Sequence, residues 1–424
     1  MSDEKHSIAI IGGATAGAEA ADIFAKQGIL TVVFDQNPRP YGKIEDGLPK
    51  WHVNLRAKEY AAIDRKLNQE HVHFVPCTSI GQDIPLRELV DDWGFHSVVL
   101  ANGAWRDRPL PIEGADEYVG KGLIYQNPYI MWFNHRHEAG YTGEQFEIVD
   151  GTLVVGGGLA SIDVAKVVTL EMALQRLRER GIEGDMEEME IKGIPRVLEK
   201  YDLKWEDLEI QGSKIYYRRR QCDMPLMGIP PGADEARIAK VEKGRLNMLN
   251  KSTSKYLFEV IPQHAPKDLI VEDGRLVGLV FARTLVEGGR VIPTDETVEV
   301  RAPLIISSIG SIPMPLNGVP MNGELYDYQD WDTGTLAEYP TLFSCGNVVT
   351  GKGNIVDSRK HAKQVARHVS EDYFKLAEDV QALDPMSSDA RQSLGERIRS
   401  RQKQVEYGGS YESWIEAAKP PEFC

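Results

Sequence analysis

The chain has few cysteines, no long apolar run and fewer basic than acidic residues. Its four cysteines are scattered over 424 residues, and none forms a CxxC pair. This spacing argues against a local zinc knuckle, an iron–sulfur run or a redox dithiol, and we expect no metal site. No apolar run approaches the roughly 18 residues of a membrane-spanning helix, so we expect no membrane span. The net charge of −15 argues against nucleic acid, whose binding needs a basic surface.

The length is sufficient for two or three domains, each with its own hydrophobic core. The composition is ordinary for a globular protein. The first apolar strand begins by residue 7, which leaves no room for a signal or transit peptide. We therefore expect a cytoplasmic protein.

Residues 7–35 have the pattern of a βαβ unit that binds a dinucleotide. An apolar strand leads into Gly12-Gly13-Ala14-Thr15-Ala16-Gly17, followed by a small-residue helix and a second strand that ends at Asp35. In this pattern Gly12 makes the tight turn and Gly17 lets the helix approach the strand. The helix N-terminus favours a pyrophosphate, and Asp35 can accept a hydrogen bond from a ribose hydroxyl. Because Ala14 replaces the middle glycine, we expect its methyl group to crowd the ligand.

A second unit of the same kind begins near residue 152. Its strand leads into Gly156-Gly157-Gly158-Leu159-Ala160-Ser161 and a helix, and the next strand ends in Arg218-Arg219-Arg220. These arginines stand where Asp35 stands in the first unit, and arginine favours a 2′-phosphate over a free hydroxyl. Each charge-assisted bond to phosphate is worth about 1.5–3 kcal/mol. We therefore expect NADPH rather than NADH at this second site, bound by Gly156, Gly158, Leu159, Ala160, Arg218 and Arg219.

Several segments outside the two units are predicted to complete the sheets and to approach the ligands. A Pro/Gly-rich loop at 36–44 follows Asp35, and a strand at 97–101 ends in the small residues Ala101-Asn102-Gly103. Residues 256–300 are predicted to form antiparallel strands, with a two-residue turn at Asp273-Gly274. Later apolar strands lead to Gly310 and to Gly346-Asn347, and a helix is expected from Ile355 to Val369.

The order of these parts resembles the adrenodoxin reductase / ferredoxin–NADP reductase group of flavoproteins, with similarity to the glutamate synthase small subunit. The resemblance covers roughly residues 7–416. Residues 40–52 match the group's segment after the ribose-binding acid, and residues 346–356 resemble its Gly-Trp-x-x-x-Gly-Pro-Thr-Gly-Val-Ile motif. Tyr217-Arg218-Arg219 with Met224-Pro225 resembles the glutamate synthase subunit. The chain departs from the motif at Asn347, Lys352 and Gly353.

The resemblance implies an α/β fold with two Rossmann-like dinucleotide-binding domains, each with three β/β/α layers. The FAD domain is expected at 1–112 and 325–424, with the NADP domain, 113–324, inserted in it. FAD is implied for the first site and NADPH for the second. Further cofactor-binding residues are expected outside the second βαβ unit: Gly12, Ala14, Gly17, Asp35, Gly42, Lys43, Ala101, Asn102, Gly103, Gly310, Gly346, Asn347, Asn354 and Ile355.

The resemblance also implies two residues that handle protons and a type of reaction. His52 matches a histidine near the flavin, and Glu235 lies near the group's acid beside the nicotinamide. The implied reaction is hydride transfer between NADPH and FAD, with electrons passed to an iron–sulfur protein of the ferredoxin type or to another redox protein or complex. Two alternatives stay open: an NADPH-dependent reductase of a small organic substrate, and a non-catalytic flavin-binding subunit. A chain with a net charge of −15 would attract an acidic ferredoxin poorly, unless its own basic residues were clustered on one surface.

Overall fold

The computed structural model describes residues 5–230, 232–351, 353–375 and 384–419, so Lys352 lies outside the described residues. The chain forms two compact units. The first comprises Met1–Arg106, His137–Gly140 and Ser311–Cys424, and the second comprises Asp107–Arg136 and Tyr141–Gly310. The second unit is therefore inserted in the first. Residues 311–324, which the sequence analysis places in the inserted domain, pack with the first unit.

The secondary structure alternates between strands and helices over most of the chain. The strands are β1 (Ser7–Ile11), β2 (Leu30–Phe34), β3 (Val72–Val75), β4 (Ser97–Leu100), β5 (Arg106–Asp107), β6 (Leu123–Tyr125), β7 (Leu153–Gly156), β8 (Lys214–Tyr217), β9 (Glu259–Pro262), β10 (His264–Glu272), β11 (Arg275–Glu287), β12 (Arg290–Arg301), β13 (Ile305–Ser308), β14 (Ser311–Ile312), β15 (Met321–Asn322), β16 (Leu325–Tyr326), β17 (Tyr328–Asp330), β18 (Thr335–Leu336) and β19 (Tyr339–Ser344). The helices are α1 (Thr15–Lys26), α2 (Val53–Leu67), α3 (Leu86–Asp91), α4 (Gln126–His135), α5 (Leu159–Glu179), α6 (Met186–Lys192), α7 (Ile194–Glu199), α8 (Glu235–Tyr256), α9 (Asn347–Thr350), α10 (Ile355–Arg367), α11 (Ser388–Gln404) and α12 (Tyr411–Ala418). Among the helices of the described ranges, none combines the length and the apolar character that a membrane span requires.

The first unit is built on a seven-stranded sheet of order β17-β18-β19-β4-β1-β2-β3. The five strands from β19 to β3 are parallel. One face packs against α1, α2, α10 and α12, and the other packs against α3, α11 and Tyr326 of the short strand β16. Strands covered on both faces are apolar throughout, which explains the continuous apolar runs of β1 and β2. The carboxyl ends of the parallel strands, and the loops that follow them, meet at one edge of this sheet.

The second unit repeats this design on a smaller scale. Its five-stranded parallel sheet has the order β6-β13-β7-β8-β9, and α5 contacts β7, β8 and β13. An antiparallel layer, β10-β11-β12, packs on the sheet through a core that includes Leu153, Val155 and Phe281. The predicted α/β fold with two dinucleotide-type parallel sheets is confirmed.

Two details of the predicted secondary structure are wrong. Within the segment predicted as antiparallel, β9 pairs in parallel with β8 and extends the parallel sheet. The reason is that a four-residue apolar strand carries no signal for its direction. The helix predicted to end at Val369 ends at Arg367 and continues as a π-helical turn, His368–Tyr373. The turn at Asp273-Gly274 is confirmed, because both residues have positive φ, 49° and 75°, as a type I′ hairpin requires.

Candidate functional site

The turn between β1 and α1 depends on two glycines. Gly12 has a φ of 98°, and a Cβ there would lie 2.7 Å from the carbonyl oxygen of Ala101. A Cβ on Gly17 would lie only 1.8 Å from the carbonyl oxygen of Gly12, so no other residue lets α1 approach β1 this closely. Ala14 is the N-cap residue of α1 and provides no side-chain hydrogen bond. The first N–H groups of α1 are therefore left for water or a ligand.

Asp35 is buried at the end of β2, beside this turn. Its Oδ2 accepts a hydrogen bond from Gly13 N at 2.8 Å, and its Oδ1 accepts one from Asn37 N at 2.9 Å. Burial raises the pKa of the carboxyl group to about 6, although the two hydrogen bonds act in the opposite direction. Each carboxylate oxygen has a second lone pair, and a ribose hydroxyl could donate to it.

The loops that follow β4 and β19 reach the same edge of the sheet. Ala101 N donates to Ile11 O at 2.8 Å, and Cys345 N donates to Leu100 O at 2.8 Å. Gly346 has a φ of 80°, and a Cβ there would lie 2.4 Å from the Cβ of Ala16. The structure thus brings six of the predicted residues together at this edge: Gly12, Ala14, Asp35, Gly42, Ala101 and Gly346.

Two further predicted residues, Asn102 and Lys43, are held by polar contacts within the first unit. Asn102 Nδ2 donates to the Tyr326 hydroxyl at 3.2 Å, whereas its buried Oδ1 has no hydrogen-bond partner among the described residues. Lys43 Nζ donates to Ser311 Oγ at 3.1 Å and lies 5.3 Å from the centroid of the Trp105 ring. Gly103, which has a φ of 70°, lies two positions before Trp105 in the chain. A buried carboxamide oxygen without a donor is a group that a bound ligand can satisfy.

Gly346, Asn347, Gly353 and Asn354 are held by local hydrogen bonds. Gly346 N donates to His361 Nδ1 at 3.0 Å, so the His361 ring carries its hydrogen on Nε2, which donates to Trp331 O at 2.9 Å. Asn347 Oδ1 accepts from Gly353 N at 2.7 Å. Asn354 caps α10, because its Oδ1 accepts from Asp357 N at 2.7 Å. Ile355 then begins the helix, and the next residue, Val356, is 73% exposed.

The C-terminal helix α12 holds the loop that follows Asp35. Trp414 Nε1 donates to Pro38 O at 2.8 Å, and Arg39 Nη1 donates to Ala418 O at 2.5 Å. Asp64 Oδ1 accepts from the hydroxyl groups of Tyr411 at 2.8 Å and Tyr41 at 3.1 Å. Sequence reasoning missed these contacts because Trp414 and Pro38 are 376 positions apart.

In the second unit, the three glycines at the end of β7, Gly156, Gly157 and Gly158, have different surroundings. A Cβ on Gly156 would lie 2.2 Å from Ser161 Oγ, and one on Gly157 would lie 2.1 Å from the Tyr217 ring. A Cβ on Gly158 would meet no heavy atom within 4 Å. Gly158 is the N-cap residue of α5, and the Leu159 that follows it is 48% exposed. The first two glycines therefore serve the packing of the turn, and the third faces open space.

The three arginines at the end of β8 have different partners. Arg220 is paired with Asp223 at 2.7 Å and lies 3.7 Å from Glu242. Arg219 Nη1 donates to Gly289 O at 2.7 Å. The exposed Arg218 guanidinium has no hydrogen bond or ion pair within the described part of the chain. Arg218 and Arg219 therefore have free donors for an anion.

Potential metal ligands also surround Arg220. The ligand atoms of Cys222, Asp223 and Glu242 lie within 4.8 Å of one another. The positive charge of Arg220 already compensates the two carboxylates and lowers the pKa of Asp223. An ion pair therefore accounts for this cluster.

The remaining predicted residues are less clearly placed. His52 is the N-cap residue of α2 and is half-buried, with its ring centroid 6.1 Å from that of Trp51. Glu235 is exposed in the first turn of α8. Gly310, with a φ of 109°, accepts a hydrogen bond at its carbonyl from Arg108 N at 2.9 Å, and Ala160 lies in the first turn of α5. The roles of these four residues stay predictions.

The chain is similar to several known proteins. Residues 6–189 match the family model described as pyridine nucleotide-disulphide oxidoreductase. Cindoxin reductase of Citrobacter braakii is 32% identical over 164 residues, 38% of this chain and 34% of that protein. The glutamate synthase [NADPH] small chain of Bacillus subtilis is 32% identical over 162 residues, 37% of this chain and 31% of that protein. A probable ferredoxin/ferredoxin–NADP reductase of Mycobacterium leprae is 29% identical over 166 residues, 39% of this chain and 29% of that protein.

The sequence matches thus span about a third of the length of these curated relatives. Among solved structures, Mycobacterium tuberculosis FprA in complex with NADPH is similar, with a TM-score of 0.70 and 18% identity. This similarity covers 94% of this chain and 91% of FprA, and at such low identity it shows the fold. The predicted resemblance is confirmed: the chain matches the pyridine nucleotide-disulphide oxidoreductase model over residues 6–189 and has the fold of FprA.

Proposed function

We propose that the chain is an FAD-dependent NADPH oxidoreductase that transfers hydride between NADPH and FAD and exchanges electrons with a ferredoxin-type or other redox protein. The observation that carries this proposal is the contrast between two similar strand ends. Asp35, a buried acid, closes the second strand of the first unit, whereas Arg218 and Arg219 close the corresponding strand of the second. One end suits a ribose hydroxyl and the other a 2′-phosphate.

The residues of the first unit fit FAD. When bound, FAD supplies a ring that exchanges a hydride with a nicotinamide and single electrons with a redox protein. The first turn of α1 would hold the pyrophosphate, and Asp35 would hold a ribose hydroxyl. The unpaired Asn102 Oδ1 would accept from a donor of the bound group. Gly346 and the N-terminus of α10 would favour negative charge beside it.

The names of the relatives support a redox protein as the partner. Two are named for the reduction of cindoxin and ferredoxin, and a third is a chain of an NADPH-dependent synthase. The test is steady-state NADPH oxidation by the purified flavin-containing protein. We expect slow turnover with small organic acceptors and fast turnover when an iron–sulfur protein is added. Fast turnover on a small acceptor alone would instead support a reductase of small substrates, and no turnover with any acceptor would support a non-catalytic subunit.

The proposed preference for NADPH has its own test. Replacement of Arg218 and Arg219 by alanine should raise the KM for NADPH by about 10- to 150-fold for each lost phosphate contact. The KM for NADH should change little, since NADH has no 2′-phosphate. Arg220→Ala is the matched control, because Asp223 and Glu242 already engage that side chain. Equal losses for both coenzymes in the double variant would reject the phosphate-binding role.

A further inference from the structure

The β11–β12 hairpin contacts the arginine run at the end of β8. Its proximal half packs on the parallel sheet through Leu276, Leu279 and Phe281. The pairing of the two strands then shifts between Ala282 and Thr284. Such a bulge bends a two-stranded ribbon and turns the residues beyond it in a new direction. The distal half of the hairpin, residues 284–293, begins at this bulge.

Backbone atoms of the arginine run are anchored by this distal half and by the turn before β10. The buried Thr284 donates from Oγ1 to Arg218 O at 2.8 Å. Gln263 N donates to Arg219 O at 3.0 Å, and Thr284 N in turn donates to Gln263 O at 2.9 Å. Gln263 Nε2 also donates to Thr284 O at 3.0 Å. The carbonyl groups of both arginines are thus fixed by residues outside β8, Thr284 of the hairpin and Gln263 of the turn between β9 and β10.

The tip of the hairpin contacts an arginine side chain directly. Gly288 and Gly289 have φ values of 54° and 76°, the conformation of a two-residue type I′ turn. In this conformation Gly289 O accepts from Arg219 Nη1 at 2.7 Å. A guanidinium group has five donors, so this bond leaves the others available to an anion. It also limits the rotamers of a long side chain, which lowers the entropy cost of binding.

We propose that the distal half of the β11–β12 hairpin is part of the 2′-phosphate site. Thr284 fixes the backbone from which the arginines project, and the Gly289 carbonyl orients Arg219 before the coenzyme arrives. Both are positioning residues, and the inference rests on the proposed role of Arg218 and Arg219 as phosphate ligands. The hairpin then contributes to the choice between NADPH and NADH through Thr284 and Gly289, which are remote in sequence from the glycine-rich turn at residues 156–161.

The first test removes one hydroxyl group from the hairpin. Thr284→Val deletes the donor to Arg218 O, and Thr294→Val is the matched control, because Thr294 Oγ1 donates to Arg283 O at 3.1 Å in the same hairpin. Calorimetry on the intact protein measures the Kd of 2′,5′-ADP and of 5′-AMP. We expect Thr284→Val to weaken 2′,5′-ADP by roughly 3- to 10-fold with 5′-AMP unchanged. Thr294→Val should change neither. Equal weakening of both nucleotides by Thr284→Val would overturn the inference for that residue.

The second test removes the tip. Leu285 and Ile292 are paired, so residues 286–291 can be replaced by Asn-Gly with a two-residue turn in the same register. The shortened hairpin lacks the Gly289 carbonyl and should selectively weaken 2′,5′-ADP by a similar factor. In this background Arg219→Ala should cost less than in the original chain. Tighter binding of 2′,5′-ADP would show that Gly289 competes with the phosphate, and would overturn the inference.

The two proposals fail in different ways. If the Arg218→Ala, Arg219→Ala variant keeps the original ratio of 2′,5′-ADP to 5′-AMP affinity, the phosphate site itself is wrong. If that variant loses the ratio while Thr284→Val and the shortened hairpin keep it, only the role of the hairpin is wrong. Thermal unfolding verifies that each variant is folded, and if Thr284→Val does not fold, the shortened hairpin alone decides.

Discussion

Gly156 and Gly158 should separate the folding of the second unit from its binding of a coenzyme. A Cβ at position 156 would lie 2.2 Å from Ser161 Oγ and 2.3 Å from the carbonyl oxygen of Ser308. Ser308 pairs with Gly156 between β13 and β7, so neither backbone can withdraw without loss of the pairing. A Cβ at position 158 would meet no heavy atom within 4 Å, and the φ of Gly158, −88°, is accessible to alanine.

The expected magnitudes differ accordingly. Gly156→Ala overpacks a buried turn and should cost about 3 kcal/mol, which lowers the Tm of a unit of this size by roughly 6–12 °C. Gly158→Ala should change the free energy of unfolding by less than about 1 kcal/mol. Its methyl group would occupy the space through which a pyrophosphate approaches, and we expect NADPH binding to weaken by about 10-fold or more.

Thermal unfolding followed by circular dichroism, together with NADPH titration of the same samples, measures both effects. Two results would contradict these expectations: an unchanged Tm in Gly156→Ala, or a lowered Tm with unchanged NADPH affinity in Gly158→Ala. The first result would mean that the turn accommodates a methyl group at position 156, and the second would mean that the open space before Gly158 is not where the coenzyme binds.

Three further predictions concern the first unit. Ala14→Gly removes the methyl group at the N-cap of α1 and should slow the release of FAD on dilution; unchanged or faster release would contradict the expected crowding. The carboxyl group of Asp35 has a pKa of about 6 in the folded protein, against 3.8 in the unfolded chain. Because the folded state binds more protons between these two values, the apoprotein should lose up to about 3 kcal/mol of stability as the pH rises from about 4 to 6. Urea unfolding at several pH values should show this loss in the original chain and not in Asp35→Asn. If the free energy of unfolding of both proteins changed with pH in the same way, Asp35 would not be the cause. Trp414→Phe removes the hydrogen bond to Pro38 O and should speed FAD release about 5-fold, whereas an unchanged rate would show that α12 does not hold the loop.

The features that the sequence predicted well are those in which local geometry demands one residue type. Gly12 and Gly17 lie at a turn where a Cβ would strike the backbone, and Asp273-Gly274 supplies the two positive φ values of a tight hairpin. The alternation of apolar strands and helices likewise follows from burial on both faces of a parallel sheet. For such features the spacing along the chain is itself the physical signal.

Features that depend on tertiary pairing could not be predicted in this way. The direction of β9 is set by its neighbour β8, and its four residues give no sign of it. The bond between Thr284 and Arg218 joins two layers of the second unit, and the bond between Trp414 and Pro38 joins opposite ends of the chain. A threonine or tryptophan has no periodic pattern that reveals such a partner. The availability of Arg218 and Arg219, in contrast to Arg220, also depends on where Asp223 and Glu242 lie in the fold.

The proposed hydride transfer between NADPH and FAD can be followed on the flavin itself. Anaerobic titration of the FAD-loaded protein with NADPH, followed by the flavin's visible absorption, tests it most directly. We expect complete bleaching at one NADPH per flavin, because one hydride carries the two electrons that reduce the ring, and less efficient bleaching by NADH. A flavin that keeps its oxidised spectrum in excess NADPH would contradict the proposed hydride transfer.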